Sequence, residues 1–73
     1  MEKVMPGFSI RIKELRKEKN LKQRDMAELL HCTERHYQEI EYGHINLPSL
    51  TLIFLADYFG VSTDYLLGRS DIR

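Results

Sequence analysis

Residues 23–43, QRDMAELLHCTERHYQEIEYG, hold two short amphipathic patterns with almost no chain between them. In the first, Met26, Ala27, Leu29 and Leu30 point to one side of a helix opening near Gln23. Ala27 is the informative residue, because a small side chain permits close crossing by the next helix. After His31 and Cys32, Thr33 has the chemistry of an N-cap, its hydroxyl able to accept an orphan backbone N–H. The second helix runs to Tyr42, and Gly43 ends it. Helix, tight turn, helix is therefore the unit around which the rest must pack. With Tyr37 as the inward centre and about 100° per residue, Ile40 and Glu41 fall within about 60° of it. Arg35, Gln38, Glu39 and Tyr42 fall on the far side. Two apolar anchors behind an outer row of long hydrogen-bonding side chains suit a groove, where such side chains can reach base edges.

The flanking sequence predicts three further helices and no strand. Phe8, Ile12 and Leu15 recur at helical spacing over a first helix from Phe8 to about Lys19, started near Ser9 and stopped at Asn20. The segment INLPSL is a connection, and a fourth helix runs from Pro48 or Ser49 through Phe59 with Leu52, Leu55, Ala56 and Phe59 inward. Gly60 stops it, Ser62 caps a fifth short helix, and Tyr65, Leu66 and Leu67 close the core before Gly68. The expected organisation is a tail at 1–7, one domain at 8–68 and a frayed tail at 69–73.

With 73 residues, one small domain is the only sensible count. A hydrophobic fraction of 42 % is too high for a disordered chain. The single cysteine excludes an internal disulfide framework and suits a reducing cytoplasm. No apolar run is long enough to span a bilayer and no signal peptide opens the chain, so no membrane partner is expected. Net charge is zero but lopsided: residues 1–24 hold eight lysines and arginines against three glutamates, and the remainder reverses the balance. The basic half could face phosphates; a solvated helix face fits RIKELRKEKNLKQR equally well.

RIKELRKEKNLKQRDMAELLHCTERHYQEIEYG, followed by LADYFGVSTDYLLG, closely resembles the lambda-repressor/Cro-type helix-turn-helix family, also called XRE. The resemblance covers roughly residues 8–68 and rests on L-x-Q-x-x-x-A-x-x-L, the capped third helix ending I-E-x-G, and G-V-S-x-D-x-L-L-G. It implies an all-α, compact five-helix bundle in which helices 2 and 3 form the helix-turn-helix, the third entering the DNA major groove. By resemblance, Gln23 meets a phosphate at the start of helix 2, with Lys22 and Arg24 beside it, and Thr33 caps helix 3 and touches a phosphate. Glu34, Arg35 and Glu39 match base-reading positions, flanked by His36, Gln38 and Tyr42. Arg16 and Glu41 match a pair that in relatives forms a salt bridge locking helix 1 to helix 3. Glu34 lies in the first turn, where the helix dipole favours an anion. Glu39 could either repel phosphate or select cytosine.

The chain also departs from the family pattern. His31 stands where glycine is usual, a left-handed position less comfortable for histidine. Cys32 replaces a small aliphatic residue and is read as a small buried hydrophobe. Tyr37 replaces a branched aliphatic, so its hydroxyl needs water or a partner. The loop HINLPS lacks the lysines or arginines that many relatives place on phosphates, which implies weaker binding and a shallower salt dependence. His31, Cys32 and His36 invite a metal, but a closed zinc site needs four ligands. No cofactor is expected. With no glycine-rich phosphate loop and no nucleophile with a plausible base, neither is an enzyme.

Helix 4, LTLIFLADYF, has apolar residues on more than one face. Leu50, Ile53, Phe54 and Tyr58 either pack under the termini or form a two-fold homodimer interface through helices 4 and 5, presenting two recognition helices to half-sites about one DNA turn apart. The expectation is a cytoplasmic, sequence-specific regulator of a double-stranded DNA operator, a small repressor, with the resemblance alone carrying its bacterial or phage setting. The alternatives are an antitoxin or adaptor that binds a protein partner through helices 4 and 5, and a helical interaction module that does not bind DNA.

Overall fold

Thr33 leaves the turn in an extended conformation, φ −76° and ψ 156°, and its hydroxyl accepts the His36 N–H at 3.0 Å. That cap starts α3 (Glu34–Glu41) with only four residues, 30–33, between it and the helix before it, α2 (Gln23–Leu29), although the turn needs His31 at φ +57°. The computed structural model describes residues 6–73, and among these the other helices are α1 (Pro6–Glu18), α4 (Ser49–Phe59) and α5 (Thr63–Leu66), with no strand. Asp25 supports the start of α2 by accepting the Lys22 N–H at 2.8 Å. Gly60, at φ +69°, ends α4, and the Ser62 hydroxyl accepts the Tyr65 N–H at 3.0 Å to open α5.

These helices enclose a single core. Phe8, Ile12 and Leu15 of α1 meet Met26 and Ala27 of α2, Tyr37 and Ile40 of α3, Leu55 and Ala56 of α4, and Leu66 of α5. Burying each large apolar side chain contributes about 1.5–3 kcal/mol before entropy is counted. Leu29, Leu30, Leu52, Phe59 and Leu67 pack against this core while only partly buried. None of the described helices is long and apolar enough to cross a membrane.

The two ends of the fold depart from expectation. α1 already includes Pro6, ahead of Phe8, and Gly7 lies against Gly68: a Cβ on Gly7 would stand 2.6 Å from the Leu67 carbonyl oxygen. The rest of the predicted tail at 1–7 lies outside the described residues. Residues 69–73 are folded back instead of frayed. The Ser62 N–H donates to the Arg73 carbonyl at 2.7 Å, Asp71 accepts from Arg11 at 2.9 Å, and Arg73 grips Glu18 with two guanidinium nitrogens. That grip holds the Glu18 carboxyl below its ordinary range. The Tyr65 ring is flanked by the Arg11 and Arg73 guanidinium groups, 4.0 and 5.3 Å from its centroid.

Candidate nucleic-acid interface

α3 is held from behind. Tyr37 and Ile40 are buried, and Glu41, with only 2 % of its surface exposed, turns inward to α1. Arg16 donates from Nε and Nη2 to the two Glu41 carboxylate oxygens, each at 3.1 Å, and from Nη1 to the Leu21 carbonyl at 2.7 Å. The Ser9 hydroxyl donates to the Glu41 backbone carbonyl, a second tie between α1 and the end of α3. Arg16 is thus committed to shape. So is Arg11, and the ammonium of Lys19 lies 5.5 Å over the Tyr58 ring. The basic half therefore spends part of its charge on contacts within the chain, while Lys13, Lys17, Lys19, Lys22 and Arg24 are exposed.

The Tyr37 hydroxyl lies inside the fold. It is buried and finds no hydrogen-bond partner among the described residues. It faces the Glu41 carboxylate closely enough that burial first, and that negative charge second, push its pKa well above the tyrosine range, yet no well-formed hydrogen bond joins them. Cys32 is half-buried, and desolvation raises its thiol pKa, which opposes reactivity. No group of three or more potential metal-ligating residues occurs among the described residues.

The outer side of α3 is open. Thr33, Glu34, Arg35, His36 and Tyr42 are exposed, as are Lys22 and Arg24 at the start of α2. Gln38 and Glu39 sit lower, half-buried. Gln38 donates from Nε2 to the Gln23 Oε1 at 3.2 Å, so the first residue of α2 and the middle of α3 share one polar surface. Glu39 is not alone either: its Oε2 lies 2.9 Å from His44 Nδ1. Sequence reasoning passed over His44. The available signal was the placement of a histidine five residues after a glutamate, across the helix-ending Gly43. On the opposite flank, Leu50, Ile53, Phe54 and Tyr58 of α4 are exposed, Leu50 by 80 % of its surface. An open groove of about 490 Å³ lies between this flank and the end of α2, lined by Leu29, Leu30, His31, Leu50, Thr51 and Phe54.

A helix capped by threonine, packed against a short partner helix and carrying exposed side chains at Arg35 and Tyr42 on its outer row, defines a helix-turn-helix fold. The pattern that describes the helix-turn-helix domain family matches residues 10–72, and the chain belongs to that family, in its XRE-type form. Over 60 residues it is 38 % identical to the SPbeta prophage-derived uncharacterized HTH-type transcriptional regulator YonR of Bacillus subtilis, covering 82 % of this chain and 56 % of that protein. It is 40 % identical over 60 residues to the uncharacterized HTH-type transcriptional regulator YqaE of the same organism, covering 82 % and 52 %. With the HTH-type transcriptional regulator ImmR, also from B. subtilis, it shares 32 % identity over 62 residues, covering 85 % and 49 %. The chain spans about half the length of these curated relatives.

Proposed function

We propose that the chain is a sequence-specific double-stranded DNA-binding module of a transcriptional regulator, a repressor, with α3 in the major groove. The observation that carries this reading is the open outer row of α3 backed by a rigid inner one. Arg35 offers paired donors to guanine, and Gln38 an amide suited to adenine. Thr33, Gln23, Lys22 and Arg24 line the rim where phosphates would pass, and backbone N–H groups at the starts of α2 and α3 favour anions. Glu34 and His36 flank the first turn of α3, and Tyr42 closes its far end. The relatives, named as transcriptional regulators, support the same role.

Two copies would act together. The exposed apolar side of α4 (Leu50, Ile53, Phe54 and Tyr58) supports a two-fold homodimer that sets two recognition helices on neighbouring half-sites. The same surface favours the second reading, an adaptor or antitoxin that docks another protein through α4 and α5. Selection from a random duplex pool at stated salt tests both. Enrichment of a palindrome supports the dimeric reader; a single half-site supports a monomer. Failure to enrich any motif overturns base reading and leaves the protein-docking role.

A further inference from the structure

α3 ends in a Schellman motif. Gly43, at φ +80°, turns the chain back, its N–H donating to the Ile40 carbonyl at 3.0 Å while the His44 N–H donates to the Glu39 carbonyl at 3.1 Å. This geometry brings the side chains of residues 39 and 44 together, a contact that two apolar groups commonly make. Here a carboxylate and an imidazole make it, with His44 Nδ1 2.9 Å from Glu39 Oε2. Both side chains are partly sheltered, 26 % exposed for His44 and 41 % for Glu39. The Tyr42 ring stands 6.0 Å from the imidazole, centroid to centroid, on the same turn.

To donate to a carboxylate, Nδ1 must carry a proton, in the neutral ring and in the charged one alike. The tether thus keeps a proton on Nδ1 and removes rotamer freedom that an untethered glutamate would lose only on binding. It occupies Oε2 and leaves Oε1 as a pure acceptor. In the major groove, cytosine presents its amino donor and guanine presents acceptors that a carboxylate would repel. Adenine sets an acceptor beside its amino group, and thymine offers an acceptor and a methyl. Cytosine is the base such an oxygen fits.

We infer that Glu39 and His44 work as one unit, His44 being a positioning residue that aims the free Glu39 oxygen at a cytosine amino group. This rests on α3 reading bases as proposed above. The wild-type chain and the variants E39Q, H44A and H44N are each put through selection from a random duplex pool at fixed salt and pH. The asparagine amide nitrogen stands close to where Nδ1 stood and can donate to the carboxylate.

The wild type is expected to prefer cytosine at one position of each half-site by about ten-fold. E39Q should lose that preference, H44A should cut it to about three-fold or less at that position alone, and H44N should restore most of it. Nitrogen NMR of the free protein should show the Nδ1–H form of neutral His44, with the spectra also reporting that each variant is folded. A motif without that cytosine, a cytosine preference that H44A leaves intact, an H44N no better than H44A, or an Nε2–H ring in the wild type overturns the inference while α3 remains a reader. Absence of any enriched motif removes the reading on which it stands, and the inference with it.

Discussion

Arg16 and Glu41 meet side-on across α1 and α3, two guanidinium nitrogens facing two carboxylate oxygens at 3.1 Å, with side-chain exposures of only 12 % and 2 %. Little water screens this pair, so each charge depends on the other. Glu41→Ala should cost about 3–5 kcal/mol in urea unfolding by stranding the guanidinium. The double replacement Arg16→Met with Glu41→Leu should recover most of that loss, since desolvation disappears with the charges. A double variant as unstable as the single one would show that the pair is valued for more than mutual neutralisation.

Tyr37→Phe removes the buried hydroxyl that lacks a partner. An unsatisfied buried polar group costs about 1–3 kcal/mol, so the phenylalanine variant should unfold at equal or higher denaturant concentration. The pH dependence follows from the raised pKa of the folded chain. Below about pH 10 the hydroxyl is protonated in both states and contributes no slope. Above it the unfolded chain ionises first, and stability falls as pH climbs towards the folded value. Tyr37→Phe should lessen that alkaline loss in pH-stepped denaturation.

Two glycines separate backbone strain from crowding. Gly60 and Gly68 both sit at positive φ, +69° and +79°, but a Cβ on Gly60 meets nothing within 4 Å, whereas one on Gly68 would stand 2.8 Å from the Gly7 Cα. Gly60→Ala should cost about 1 kcal/mol from conformation alone. Gly68→Ala should lower the thermal midpoint markedly further, because backbone must move as well. Equal midpoints would mean that the approach of α1 to residue 68 yields freely.

On DNA, Arg35→Ala should weaken binding to the selected site by about 1–3 kcal/mol and relax one base position. Lys22→Ala should instead weaken all sequences alike and reduce the salt slope by about one. Gel-shift titrations across a salt series distinguish these outcomes, and two identical responses would remove the division into base-reading and phosphate-holding residues.

Leu50 is so exposed that charging it leaves the isolated fold intact. Leu50→Glu should shift the protein to monomer in sedimentation equilibrium and weaken a palindromic site more than a half-site. Unchanged association would move the two-fold contact away from α4.

Much of this fold is legible in the chain because its punctuation is local. Thr33 and Ser62 cap with their own hydroxyls, and Gly43 and Gly60 stop helices by adopting left-handed backbone. The open row of α3 follows from spacing once Tyr37 is set inward. Contacts between residues remote in sequence were hidden: Gly7 approaches Gly68 closely, and Asp71 and Arg73 tie down a segment whose composition suggests fraying. The surroundings of the Tyr37 hydroxyl were hidden for a different reason, since spacing sets the ring inward but does not say which polar groups packing brings to it. Glu39 and His44 were hidden by a helix end, where spacing rules for a continuous helix stop applying.

The seam that joins α1 to the last residues closes over 55 to 60 positions of chain, through Arg73 with Glu18 and Arg11 with Asp71. α2 and α3 need only a four-residue connection. Loop-closure entropy therefore favours the hairpin of helices assembling first and the remote clasp fastening last. On opening, the clasp is the cheapest to release: hydrogen exchange at the extremities should outpace exchange within α2 and α3. Opening at the margins should then leave the packing of the two central helices in place.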